Sequence, residues 1–190
     1  MAYKMYITEA LVCASKSSNT SDRSYLLFTK DAGMLWASAK SVREERSKHR
    51  YALQDFSIVR VSLVRGKSGW RVTGSEAIRN LYFEAQSRET RTLVRNVLRF
   101  LKRLLHGESP VPQVYEDAVA LLELSSSDPL RLETVFALRT LHALGYIAKE
   151  ELFETLLAAS TLEDAYKAAE EDLPERSKKT ITEALEASHL

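Results

Sequence analysis

Three clusters of cations are the residues in this chain best placed to do chemistry, and that chemistry is the recognition of phosphate. Lys40, Arg43, Arg46, Lys48 and Arg50 fall in one stretch without apolar periodicity, read as a loop or a short exposed helix. Arg65, Lys67 and Arg71 flank a tight basic turn, Arg65-Gly66-Lys67-Ser68-Gly69, whose two glycines can take φ > 0. Arg91, Arg95 and Arg99 recur at steps of four along a helix-like segment, with Arg88 and Lys102 beside them. Turned to one side, the three groups would form a groove that follows a phosphodiester backbone by counterion release. Trp36, Tyr51 and Trp70 lie among them and are candidates to stack on bases, a contact worth ~1–3 kcal/mol per base. The plainer alternative has the aromatics filling a core and the arginines forming a solvated helix face, with Glu44 and Glu45 diluting the loop's field.

Other chemistries find no support. Gly66-Lys67-Ser68 matches the end of a phosphate-binding loop, but Val61 stands where the first glycine of that loop belongs. The residues after it read as a strand, so no helix N-terminus would meet the phosphates. His49, His106, His142 and His189 have no partner at metal-ligand spacing, and Cys13 is the only cysteine, which excludes a multi-cysteine site and a disulfide framework. The serines show no nucleophile elbow. No catalytic residue, metal site or cofactor is expected, and the chain is not expected to be an enzyme.

The charge has a direction. The net of +1 divides into 20 Lys+Arg against 9 Asp+Glu in residues 1–107, and 7 against 17 in residues 108–190. A basic half of this size suggests a polyanionic partner; two surfaces attracting each other within the chain would show the same asymmetry. With 45% hydrophobic and 28% charged residues, the 190-residue chain can build a core as one mid-sized domain or two small ones. No uncharged apolar run approaches the ~18 residues of a membrane span, and the first residues lack the apolar core of a signal peptide. A cytoplasmic, nucleoid-associated protein without membrane contact is expected.

The elements that must position the cations follow from period. Lys4–Ala14 reads as a strand with Met5, Ile7, Leu11 and Cys13 on one parity and a bulge or a rim position at Glu9. Ser24–Lys30 and Met34–Ala39 are strands joined by a three-residue loop with Gly33 in the left-handed region. Phe56–Val64 and Trp70–Thr73 form a hairpin around the basic turn. Five short strands within ~80 residues suggest a closed barrel, of which the OB type is the commonest five-stranded solution, with an SH3-like barrel or an open sheet as alternatives. After Glu76 the period changes to 3.6. A short helix over 77–86 and an amphipathic one over Thr90–Leu105 are expected. The next helix, around Val114–Leu122, is followed by a nearly all-apolar one opened by Asp128-Pro129 and closed by Gly145. Helices over Glu150–Ala159, after a capping box at Ser160–Glu163, and after Leu173-Pro174 complete a bundle. The fold class is α+β: an OB-fold barrel over 1–78 and an α-helical domain over 79–190.

The order of these features resembles a known family. The start YKMYITEALVCAS, then Asp22-Arg23, Leu27-Phe28-Thr29, Gly33, Lys40, Leu53-Gln54-Asp55-Phe56 and Arg65-Gly66 are similar to the N-terminal barrel of the bacterial recombination mediator RecO. Phe136-Ala137-Leu138-Arg139 through Leu144-Gly145-Tyr146 resembles that family's central helix and its ending. The resemblance implies an OB fold with a helical domain and a non-enzymatic role in recombinational DNA repair. It also implies binding of single- and double-stranded DNA, strand annealing, and loading of RecA together with RecR. Lys40, Arg43 and Arg65 carry over by position as DNA contacts. Many members hold zinc with four cysteines after Leu-Gly-Tyr, which this chain lacks. In the family the helical domain receives the acidic tail of single-stranded-DNA-binding protein, which a net of −10 in residues 108–190 disfavours. The rival class is a scaffold whose basic barrel docks an acidic partner. Charge and stacking alone do not separate DNA from RNA.

Overall fold

The computed structural model describes residues 4–18, 21–42, 44, 47–124, 128–148 and 153–188. Its chain divides into two compact units, one of residues 1–94 with 105–110 and the other of residues 95–104 with 111–190.

In the first unit β1 (Met5–Ser17), β2 (Arg23–Thr29), β3 (Gly33–Ala39), β4 (Ser57–Gly66) and β5 (Gly69–Asn80) close into a barrel in the order β1-β2-β3-β5-β4. The pairings are antiparallel except for β3 with β5, which run parallel and touch at Ala37–Trp70 and Ser38–Arg71. This is an OB-type barrel. Period-2 alternation sends Tyr25 and Leu27, Leu35, Ala37 and Ala39, Val59, Val61 and Leu63, and Trp70 and Val72 inward.

The register refines several local expectations. From β1 the inward residues are Ala10 and Val12, and the register shifts between Val12 and Ala14, so of the two alternatives at Glu9 the bulge is not formed there. On the other parity, which Met5, Ile7, Leu11 and Cys13 share, Met5 and Ile7 are exposed while Leu11 and Cys13 are buried. β5 continues to Asn80, because Ser75–Asn80 stay paired with β4 through the backbone although their side chains show no alternation. The helix read over 77–86 is therefore only α2 (Leu81–Glu84), capped by the Asn80 side chain, which accepts from the N–H of Tyr82 and Phe83. Of the two turn glycines only Gly69 takes a positive φ, +101°.

Gly33 sits at φ +70°, and a Cβ there would lie 2.5 Å from the carbonyl oxygen of Ser109. The β2–β3 turn is fastened by Thr29, whose hydroxyl donates to Gly33 O and accepts from Ala32 N–H. Residues 105–110 return to this end of the barrel, where Gly107 O accepts from Met34 N–H at 3.1 Å. Between β3 and β4 lies α1 (Lys48–Ala52).

α3 (Arg88–Leu104) starts in the first unit and ends in the second; its apolar stripe from Leu93 to Leu104 is buried. The second unit is a bundle around α5 (Pro129–Ala143), which packs against α4 (Pro112–Glu123), α6 (Glu154–Ala158), α7 (Leu162–Ala168) and α8 (Leu173–Ala187). Asp128 caps α5 by accepting from Arg131 N–H, with Pro129 behind it. The capping box before α7 is one residue later than read, since Thr161 caps it and pairs with Asp164. Within the bundle core Arg139 forms a two-pronged ion pair with Asp117, Nε to Oδ2 at 2.7 Å, both side chains nearly fully buried. Arg139 also donates to Leu156 O and Ala159 O, and Gln113 donates to Asp117, so both buried charges are hydrogen-bonded.

Candidate nucleic-acid interface

Strand parity decides which cations share a surface. On β3, Leu35, Ala37 and Ala39 point inward, so Trp36 and Ser38 point out. Trp36 is 42% exposed, and the Lys16 ammonium of β1 sits 4.1 Å over its ring. Two residues on from Ser38, the chain turns at Lys40, and the β3–β5 pairing stops after Ser38–Arg71. The seam left there opens as a cleft of about 360 Å³ lined by Ser38, Lys40, Val64, Lys67, Ser68 and Arg71 with Gly66 and Gly69. Lys40, Lys67 and Arg71 are exposed, and none forms an ion pair with another described residue. Three cations without an acidic partner among the described residues thus line one cleft together with hydroxyls and glycine backbone, groups of the kind that can hold an oxyanion.

The Lys40 turn is held from below. The Asp22 carboxylate, at the end of the β1–β2 loop, accepts from Ser41 N–H at 2.9 Å, and Ser41 takes φ +53°. Asp22 therefore positions Lys40, a role that sequence reasoning missed, because the bond joins residues 19 apart and no local pattern signals it. Beyond Lys40 a second depression runs between Ser41, Glu44, Ser47 and His49 on one side and Thr73–Ser75 on the other. His49 Nδ1 and Ser75 Oγ are 2.7 Å apart. Burial holds the His49 imidazole below its usual pKa, so at neutral pH it adds a hydrogen-bonding group and no charge.

The remaining candidates fall elsewhere. Arg65 is exposed, yet its guanidinium pairs with Glu108 at 2.8 Å and lies 5.6 Å over the Trp70 ring, beside a different depression from that of Lys67. Trp70 belongs to the barrel interior and meets Tyr6 edge-on at 5.3 Å, so its faces are covered. Tyr51 and Arg50 are exposed on α1. Arg43 and Arg46 lie outside the described residues, as does the side chain of Lys48. Arg91, Arg95 and Arg99 are exposed on α3, with Arg91 in the first unit and the other two in the second. Arg91 stacks over Tyr82 at 5.5 Å. Among the described residues no group of three or more His, Cys, Asp or Glu could hold a metal, and no helix is long and apolar enough to cross a membrane.

No family model matches the chain. It is 30% identical over 146 residues to the DNA repair protein RecO of Desulfitobacterium hafniense, covering 75% of this chain and 52% of that protein. To the DNA repair protein RecO of Dehalococcoides mccartyi it is 31% identical over 149 residues, 77% of this chain and 58% of the relative. The protein of the same name from Acetivibrio thermocellus is 22% identical over 142 residues, 73% of this chain and 57% of its own length. The chain thus spans a little over half the length of the relatives it matches.

Proposed function

Over the three quarters of its length that align, the chain belongs to the RecO family of DNA repair proteins, and on that premise we propose that it is a non-enzymatic DNA-binding protein of recombinational repair. The observation that carries this reading is the cleft in which Lys40 meets Lys67 and Arg71 across the β3–β5 seam. A phosphate seated there is neutralised by three ammonium or guanidinium groups and can accept from Ser38 or Ser68. The strand then continues over the outer face of β2 and β3, the face by which OB folds take oligonucleotides, where Trp36 offers a ring to a base. Lys16 already occupies one face of that ring and supplies a further contact to phosphate. Binding of this kind is tolerant of sequence. It screens the backbone charge while leaving base edges turned outward, which is the condition for annealing a second strand.

Double-stranded DNA binding, annealing, and loading of RecA with RecR extend the same proposal to partners, as does recognition of single-stranded-DNA-binding protein. Pull-down with purified RecR and with that protein tests the two partners directly. The DNA reading is tested by fluorescence anisotropy with a labelled single strand at about 50 and about 200 mM salt. Wild type should lose affinity steeply as salt rises. Reversal of Lys40, Lys67 and Arg71 to Glu should abolish binding at low salt with an unchanged unfolding midpoint, because all three side chains are exposed. Weak, salt-independent binding by wild type would instead favour a scaffold that docks protein. Matched RNA and DNA competitors then settle which nucleic acid is preferred.

A further inference from the structure

A second aromatic feature lies on the first unit, away from the residues that line the cleft. Phe56, Tyr82 and Phe83 form a stepped set: Phe56 stacks on Tyr82 with ring centroids 5.2 Å apart and an interplanar angle of 27°, and Tyr82 meets Phe83 edge-on at 6.3 Å. The Arg91 guanidinium lies 5.5 Å from the Tyr82 centroid. Tyr82 is thus engaged by both neighbours, and Phe83 is the member left open. At 73% exposure it is the most exposed large apolar side chain among the described residues.

The fold spends structure on holding these rings. Phe56 sits at φ +71°, a region that a side chain avoids, and its backbone is fixed at both ends: its N–H donates to Val12 O and its carbonyl accepts from Leu81 N–H. Asn80 accepts from the N–H groups of Tyr82 and Phe83 while its own amide donates to Ser57 Oγ and Asp55 O. A strained residue and a fully used asparagine therefore present an aromatic ring to solvent in a set orientation.

We infer that Phe83, backed by the Tyr82 ring on which the Arg91 guanidinium lies, is a stacking platform for an unpaired nucleobase, a second contact for single-stranded nucleic acid beyond the barrel cleft. This rests on the nucleic-acid reading above. The surroundings favour a base over an apolar protein surface. A protein contact calls for a contiguous apolar patch, whereas the turn that carries Phe83 bears the Arg79–Glu84 ion pair, Nε to Oε2 at 2.7 Å, and the Arg91 guanidinium over Tyr82. Glu84 is neutralised by Arg79. An aromatic face beside guanidinium groups is the arrangement on which bases of any identity stack.

The experiment is anisotropy of the full chain with a labelled thymidine oligonucleotide and with the same strand carrying abasic sites. F83A should weaken binding of the intact strand by roughly 5- to 150-fold, the equivalent of one stacked base. F83W should restore it. The salt slope should not change, since no phosphate contact is lost. Wild type should also discriminate against the abasic strand more than F83A does. If F83A binds like wild type while the triple reversal in the cleft fails to bind, the platform is refuted and the cleft stands. A fall in the unfolding midpoint of F83A alongside lost affinity, without rescue by F83W, also overturns it. If wild type binds no strand at low salt, both readings fall together.

Discussion

Glu133 shows how one side chain carries a pH signature far from any ligand. It is partly buried on α5, and burial lifts its carboxyl pKa above the ordinary carboxylate range, opposed by a hydrogen bond from Asn96 Nδ2 at 3.3 Å. A pKa raised in the folded state means that folding favours the protonated form. Below the unfolded value, about 4.3, glutamate and glutamine should therefore be equivalent. As pH climbs through the folded value the unfolded chain ionises more readily, so wild type loses stability relative to E133Q. Above it the gap stays constant. Urea unfolding of wild type and E133Q between pH 4 and 8 checks this; a gap that shrinks as pH rises would contradict it. His49 has the opposite sign. Its lowered pKa favours the neutral ring, so its contribution is present above the usual imidazole value and is lost as pH falls through the folded one.

At the scale of elements, the β2–β3 turn and the β4–β5 tip both depend on a glycine at positive φ, but for different reasons. At Gly69, φ +101°, an added Cβ meets nothing within 4 Å, so alanine should cost only the conformational penalty of about 1–2 kcal/mol. At Gly33 the same penalty is joined by overlap with the Ser109 carbonyl oxygen at 2.5 Å, backbone that cannot swing aside like the end of a side chain. G33A should therefore lower the urea midpoint clearly more than G69A, and equal losses would show that residues 105–110 yield easily. The alternation of β3 and β4, the Gly33 turn, the Asp128 cap and the buried α5 were all legible in the residues, since each rests on local period or turn chemistry. Which parity of β1 faces the barrel was not legible, because both carry apolar residues and a register shift near Cys13 breaks the count. The length of β5 was hidden because Ser75–Asn80 are held by ladder hydrogen bonds and not by burial. For the candidate site, residue type named the cations but not which of them share a cleft. Lys67 joins Lys40 while Arg65 turns to Glu108, a choice made by strand register across the barrel. The Phe56–Tyr82 stack joins residues 26 apart in sequence, and no periodicity signals it.

For the whole molecule the question is whether polyanion binding follows net charge or its placement. A net of +1 with a pI near 7.8 would give an evenly charged protein almost no attraction to DNA at neutral pH. At about 0.1 M salt the Debye length is ~10 Å, so a phosphate in the cleft responds chiefly to the charges that line it, Lys40, Lys67 and Arg71. Placement should win. Two triple variants with the same change in net charge make the comparison: K40E/K67E/R71E in the cleft, and K167E/K178E/K179E on α7 and α8, where all three lysines are exposed. The second set loses i,i+4 pairs with Glu163 and Glu183, each worth only a few tenths of a kcal/mol, so the bundle should remain folded. On heparin and in oligonucleotide titrations the cleft variant should elute early and bind no DNA, while the α7–α8 variant should behave nearly as wild type. Equal losses in the two would mean that the chain attracts polyanions through its overall charge, and the cleft would then have no special claim to them.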